Sequence, residues 1–169
     1  MILLDKPTVI WLTGLPCSGK TTLSRGFIKS HPNFITLDGD NIRKFISSDL
    51  DFSMECREEN VRRVASVAKL LLNQNISSIV SMLSPLEAHR DMAREIIGHN
   101  LKIIYLSASI DVCKKRDIKG MYKKASDGVI KNFTGINSPY EPPLSPDLVL
   151  NTSNESINAC LLKINSLVP

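Results

Sequence analysis

With 169 residues, 43% hydrophobic and 22% charged, the chain suits one domain with a full core, residues 1–169, and is too short for two. Its four cysteines, Cys17, Cys56, Cys113 and Cys160, stand singly, which excludes a disulfide framework or a zinc site. The apolar start, MILLDKPTV, is too short for a signal peptide and no run reaches transmembrane length, so a cytoplasmic protein with no membrane partner is expected.

The run TVIWLT (8–13) reads as a buried strand, and GLPCSGKTTL (14–23) follows it as a glycine-rich turn leading into a helix. FITLD (34–38) is the second strand and ends in the acidic turn LDGDN. Val61, Val64, Ala65, Ala68, Leu71 and Leu72 then recur at helical spacing and predict one apolar stripe. ISSIVSML (76–83) is the third strand, and Leu86, Ala93, Ile96 and Ile97 predict a helix before the fourth, LKIIYLS (101–107). Next comes a basic run, Lys114, Lys115, Arg116, Lys119, Lys123, Lys124 and Lys131, facing only Asp117 and Asp127. It favours anionic partners, but no aromatic stacking motif accompanies it and a nucleic-acid partner is not expected. Residues 128–146, rich in Gly, Pro and Ser, are too long for a plain connection and read as a functional loop. DLVLNT (147–152) is the fifth strand. A last helix carries Ile157, Cys160, Leu161, Ile164 and Leu167, with Ser153 as its expected N-cap.

Strands alternating with helices predict an α/β fold with a parallel sheet covered on both faces, its ligands at the carboxyl ends of the strands. There, Gly14-x-x-x-x-Gly19-Lys20-Thr21 satisfies the phosphate-loop pattern G-x-x-x-x-G-K-[ST]. Its amides and the following helix start face phosphates; Lys20 reaches the β and γ groups and Thr21 holds Mg²⁺. Gly14, Cys17, Ser18, Gly19, Lys20, Thr21 and Thr22 are thus read as an ATP site. Cys17 at a helix start raises a redox possibility, though a small space-filling side chain is the favoured account. Asp38 and Asp40 after the second strand offer a metal-side carboxylate and a base for an attacking hydroxyl. A switch GTPase would need an N-K-x-D loop, which is absent; the DIKG at 117–120 follows a helix rather than a strand.

These residues together resemble the adenylylsulfate kinases, or APS kinases. The resemblance spans about residues 8–152 and is carried by IWLTGLPCSGKTTL, LDGDNIR, DFSMECREENVRRVASVAKLL, SPLEAHRDMAR and the long CKKRDIKGMYKKASDGVIKNFTGINSPYEPPLSPDLVLNT. It implies a P-loop kinase three-layer α/β/α sandwich with a parallel five-stranded sheet and a basic lid, lid and acceptor loop covering about 114–146. It also implies transfer of the ATP γ-phosphate, with Mg²⁺, to the ribose 3′-hydroxyl of a small nucleotide. By resemblance Asp40 is the base, with Asp38 assisting at the metal or hydroxyl, and Arg43, Arg57, Asn60 and Ser84 bind the acceptor. Phe52 and Phe133 match the pair that sandwiches the acceptor base, Arg116 and Lys119 match the lid over ATP, and Lys123 contacts a nucleotide or solvent. Dimers are common in the family, so a homodimer is an open expectation.

The departures lie on the acceptor side. Where the family reads Ser-Pro-Tyr/Phe-Arg with a second Arg three residues on, this chain has Ser84, Pro85, Leu86, Glu87 and then Arg90, and Asp51 replaces the usual Gly before Phe52. Arg to Glu reverses the local charge, and one unit at ~4 Å and an effective dielectric near 20 is worth about 4 kcal/mol. If Glu87 lies by the acceptor pocket, the acceptor is open between adenosine 5′-phosphosulfate, giving PAPS, and cytidine diphosphoramidate, as in relatives serving capsule-sugar chemistry. A non-catalytic nucleotide-binding relative is the remaining alternative.

Overall fold

A computed structural model describes residues 6–168; most of the apolar start, MILLD, lies outside the described residues. Five parallel strands, β1 (Val9–Thr13), β2 (Ile35–Asp38), β3 (Ser78–Ser81), β4 (Leu101–Leu106) and β5 (Leu148–Leu150), form one sheet in the order β2-β3-β1-β4-β5. Helices α1 (Lys20–Ser30), α2 (Gly39–Phe45), α3 (Met54–Asn73), α4 (Glu87–Ile97), α5 (Ile110–Lys115), α6 (Met121–Ser126) and α7 (Ile157–Asn165) connect the strands or follow them. This is the expected α/β/α sandwich. Among the described residues no helix is long and apolar enough to cross a membrane, and all four cysteines are free.

Strand alternation explains the two layers. Val9 and Trp11 of β1 point to one face, where Val80 and Ile103 meet the α3 stripe of Val61, Val64, Ala65 and Ala68 together with Ala93 and Ile97 of α4. Ile10 and Leu12 point to the other, where Ile79, Ile104 and Leu150 meet Leu23 and Phe27 of α1 and Cys160 and Ile164 of α7. Both faces are apolar because both are covered, and each large side chain so buried contributes about 1.5–3 kcal/mol. α1 and α7 approach closely at Gly26, where a Cβ would stand 2.9 Å from Leu161 Cδ1.

Two details of the last helix differ from expectation. Ser156, not Ser153, is the N-cap, its hydroxyl accepting from Ala159 N. A turn intervenes after β5, closed by Asn151 N donating to Glu155 Oε1, and Ser153 Oγ accepts from Ser109 N instead. Ile157 is about half exposed, outside the core.

The basic run divides between α5 and α6, with Gly120 at φ 64° between them. These helices and the loop after them have a small core of their own: Ala108, Cys113, Tyr122, Ala125 and Phe133.

Candidate active site

Leaving β1, the chain turns at Gly14, where a Cβ would lie 2.7 Å from both Leu106 O and Ser18 Oγ. Only glycine fits such an approach. Gly19, at φ 106°, lets the chain enter α1. Between them Cys17 adopts φ 62°, uncommon for a residue with a Cβ. Lys20 Nζ donates to the carbonyls of Gly14 and Leu15, 2.7 Å each. Burial brings its ammonium down to about 8, while Asp40 and Asp38 are among the groups pulling the other way. Cys17 is no activated thiolate: burial, then Asp117 and Cys113, push its thiol up, outweighing Lys20 and Lys119.

A cleft of about 390 Å³ lies over the loop, lined by residues 17–23 and, opposite, by Arg116, Thr152, Glu155, Ile157 and Cys160. The structure therefore brings Cys17, Ser18, Gly19, Lys20, Thr21, Thr22 and Arg116 to one cleft. Lys119 is exposed and outside its lining. Two residues that motif reading passes over brace the loop, Thr152 from the cleft wall and Tyr122 from outside it. Thr152 Oγ1 donates to Ser18 O at 2.9 Å while its carbonyl accepts from Arg116. Tyr122 OH donates to Pro16 O at 2.9 Å, joining the lid to the phosphate loop. Thr152 had one usable signal, its place at the carboxyl end of a predicted strand; Tyr122 had none.

Thr21 and Asp38 meet across the loop: Thr21 Oγ1 donates to Asp38 Oδ2 at 3.0 Å, and Asp38 Oδ1 caps α2 by accepting from Asp40 N at 3.1 Å. Ser81, paired with Asp38 across the sheet, adds a buried hydroxyl with no partner among the described residues. No cluster of three His, Cys, Asp or Glu side chains suits a metal among the described residues. A few oxygens beside a phosphate site are nonetheless what Mg²⁺ takes, since it binds one or two carboxylates plus phosphates and keeps its waters. The residues fit that ion. Asp40 stands exposed in the first turn of α2, the helix that also carries Arg43.

Arg43 and Arg57 are not ordinary surface cations. Arg43 Nη1 donates to the carbonyls of Leu50 (3.2 Å) and Asp51 (2.8 Å), and its guanidinium lies 4.5 Å from the Phe52 ring centroid. Arg57, buried, donates from Nε to Phe52 O at 3.1 Å and from Nη2 to Asn132 O. It thus joins the backbone at Phe52 to that before Phe133. Burial lowers both arginine pKa values, and Arg43 lowers that of Arg57 further. Phe52 is 57% exposed, whereas Phe133 is 8% exposed and meets Tyr122 edge-on at 4.9 Å. Asn60, one turn after Arg57, is buried, and its Oδ1 has no partner among the described residues.

Three expectations change on this side, and the open one for Lys123, nucleotide or solvent, stays open. Ser84, at φ 35°, is buried, its hydroxyl accepting from Trp11 Nε1 and donating to Thr13 Oγ1, both at 3.1 Å, so it is not offered to an acceptor. Lys123 is exposed on α6 and makes no side-chain hydrogen bond or ion pair among the described residues, and Lys124 behaves likewise. Asp51 turns its carboxylate to Ser53 N at 2.8 Å, a local turn contact. Glu87 faces the fully buried Arg90, accepting from its Nε at 3.0 Å and from its Nη2. The charge reversal inferred from the sequence is therefore matched by an internal cation.

The family described as adenylylsulphate kinase matches residues 6–151. The adenylyl-sulfate kinase of Acaryochloris marina is 43% identical over 162 residues, covering 93% of this chain and 79% of that protein. That of Halothermothrix orenii is 44% identical over 164 residues, covering 95% and 88%. Among solved structures, the Mycobacterium tuberculosis APS kinase CysC in complex with AMPPNP and APS superposes with a TM-score of 0.92 at 36% identity, covering 96% of this chain and 98% of that one.

Proposed function

Because the chain belongs to the adenylylsulphate kinase family, we propose that it transfers the γ-phosphate of ATP to the ribose 3′-hydroxyl of adenylylsulfate, giving PAPS and ADP. In the transfer the 3′-oxygen forms a bond to the γ-phosphorus, the bond to the β–γ bridging oxygen breaks, and Asp40 takes the hydroxyl proton. Lys20 and the amides of the phosphate loop hold the β and γ phosphates. Thr21 and Asp38 would hold Mg²⁺, which would offset phosphate charge. Arg43, Arg57, Asn60, Phe52 and Phe133 hold the acceptor, with the aromatic faces on its base. Arg116 and Lys119 cover the donor, excluding water that would otherwise take the phosphate.

One observation carries this reading. The acid pair stands between the two half-sites: Asp38 is bonded to Thr21 on the donor side, and Asp40 lies on the helix that carries Arg43 against Phe52. Cytidine diphosphoramidate finds no support as the acceptor. Its grounds were Leu86, Glu87 and Asp51; Leu86 is an apolar residue at the start of α4, and the two carboxylates are engaged within the protein. The relatives compared are adenylyl-sulfate kinases. Nothing favours a non-catalytic role. ATP consumption should be measured with adenylylsulfate, cytidine diphosphoramidate, CDP, AMP and no acceptor. Adenylylsulfate is expected to be the efficient substrate, and turnover of cytidine diphosphates alone would overturn the reading.

A further inference from the structure

Arg90 is fully buried, yet every arm of its guanidinium is engaged. Besides its two bonds to Glu87, Nη1 donates to Ser84 O at 2.8 Å and Nη2 to Glu141 O at 2.7 Å. A buried guanidinium needs a charge partner, and Glu87 is the carboxylate that reaches it. Glu87 also receives Leu144 N at 3.4 Å, while its own N–H donates to Glu141 Oε2 at 2.7 Å. Glu141 N donates to Pro85 O at 2.8 Å. Segment 141–144 is therefore fastened to the start of α4 through residues 84–90. Just before it, Tyr140 lies with its ring 5.9 Å from the Arg90 guanidinium and its hydroxyl 3.2 Å from Thr13 Oγ1.

The same segment is held at its other end by Arg57, at the carbonyl of Asn132 next to Phe133. Residues 132–144 thus hang between two arginines, Arg57 on α3 and Arg90 on α4. The Arg57 end depends on a carbonyl contact, whereas the Arg90 end depends on Glu87. We propose that Glu87 is a positioning residue for the acceptor: by holding Arg90 it fixes the far end of the segment and so the placement of Phe133. This rests on the reading of Phe52 and Phe133 as the acceptor platform. It gives the residue that most departs from the family pattern a task within the acceptor wall, without contact with the acceptor.

The test uses the full chain with Glu87→Gln, which keeps size and removes charge, and with Glu141→Gln, which loosens the reciprocal contact from an exposed position should the first variant not fold. Glu87→Gln should raise the KM for adenylylsulfate about tenfold, as for residues in one hydrogen-bonded network, with kcat within about twofold and the KM for ATP unchanged. Amide exchange at Glu141 and Leu144, whose N–H groups bond to Pro85 and Glu87, should accelerate while that of α1 keeps its rate. Glu141→Gln should give the same split to a smaller degree. An unchanged acceptor KM, or equal losses in kcat and ATP affinity as from general destabilisation, would overturn the proposal. If the unaltered protein does not phosphorylate adenylylsulfate, the functional reading fails. The clamp is then judged by exchange alone, and unchanged rates at those two amides overturn it.

Discussion

On the donor side most of what meets the phosphates lies between Gly14 and Thr22, and the main chain does the positioning: two glycines at unusual angles, a turn from Ser18 N to Leu15 O, and the start of α1. The proposed acceptor wall draws instead on α2, α3, α4 and the 132–144 segment. Arginines gather it by reaching carbonyl groups, in one case seventy-five residues away. A half-site built from backbone angles leaves a fixed signature, because only glycine satisfies some of them. A half-site built from long arginines bonded to carbonyls leaves almost none, because a carbonyl is present at every residue. Donor chemistry is thereby protected from drift, while the acceptor wall can be rebuilt by exchanging one charged side chain for another.

The strongest way to break this comparison is Asp40→Ala, which removes the residue placed between the halves. A fall in kcat of about 10²–10⁴-fold is expected for a lost general base, with ATP affinity by calorimetry unchanged. Asp38, not Asp40, caps α2, so the fold should survive, and full kcat in this variant would remove Asp40 from the chemistry. Next is the aromatic pair, whose members should separate. Phe133, packed on Tyr122, should cost about 3–5 kcal/mol of stability on truncation to Ala. Phe52→Ala, at an exposed position, should leave Tm nearly unchanged and weaken acceptor binding by about 1–3 kcal/mol. Equal behaviour of the two would contradict a wall with one buried and one open face.

The smallest effect concerns the link between α2 and α3. Glu59 is held down to about 2 by hydrogen bonds from Arg62 and Arg63, and Arg63 also lowers Asp49 while donating to Ile46 O. A carboxylate whose folded pKa is depressed stabilises above its ordinary value of 4.5 and loses that contribution as pH falls toward about 2. The Tm gap between the unaltered protein and Glu59→Gln should therefore close on acidification. These pairs are exposed, so the gap is small; one that widens instead would contradict the assignment.

All five strands, the α3 stripe and the phosphate loop were legible in the sequence, because each is written in neighbouring residues with a fixed period or a required glycine. Strand ends shifted by one or two residues, and the cap moved from Ser153 to Ser156 because a turn closed by Glu155 intervenes. Glu87 was misplaced for a different reason. Its neighbours suggested an acceptor pocket, but its side chain turns to Arg90 and Leu144, a choice that depends on how the 141–144 segment packs. Tyr122 and Phe133 lie where no period exists, so their small core could not be seen before folding. Ser84 kept its family letters but had its hydroxyl taken by Trp11 and Thr13, contacts between β1 and the segment after β3 that are distant in sequence.

Thr152 carries a consequence for the order in which the protein is made. It supports Ser18 with its hydroxyl and Arg116 with its carbonyl, and it follows the three-residue strand at the sheet's edge. A nascent chain that ends before this position already has its glycine-rich turn but lacks the wall facing it. Nucleotide can stabilise only the state that binds it, so this geometry gives ATP an incomplete hold on a partly synthesised chain. The ligand gains its full stabilising effect when the last strand and helix have docked and closed the far wall.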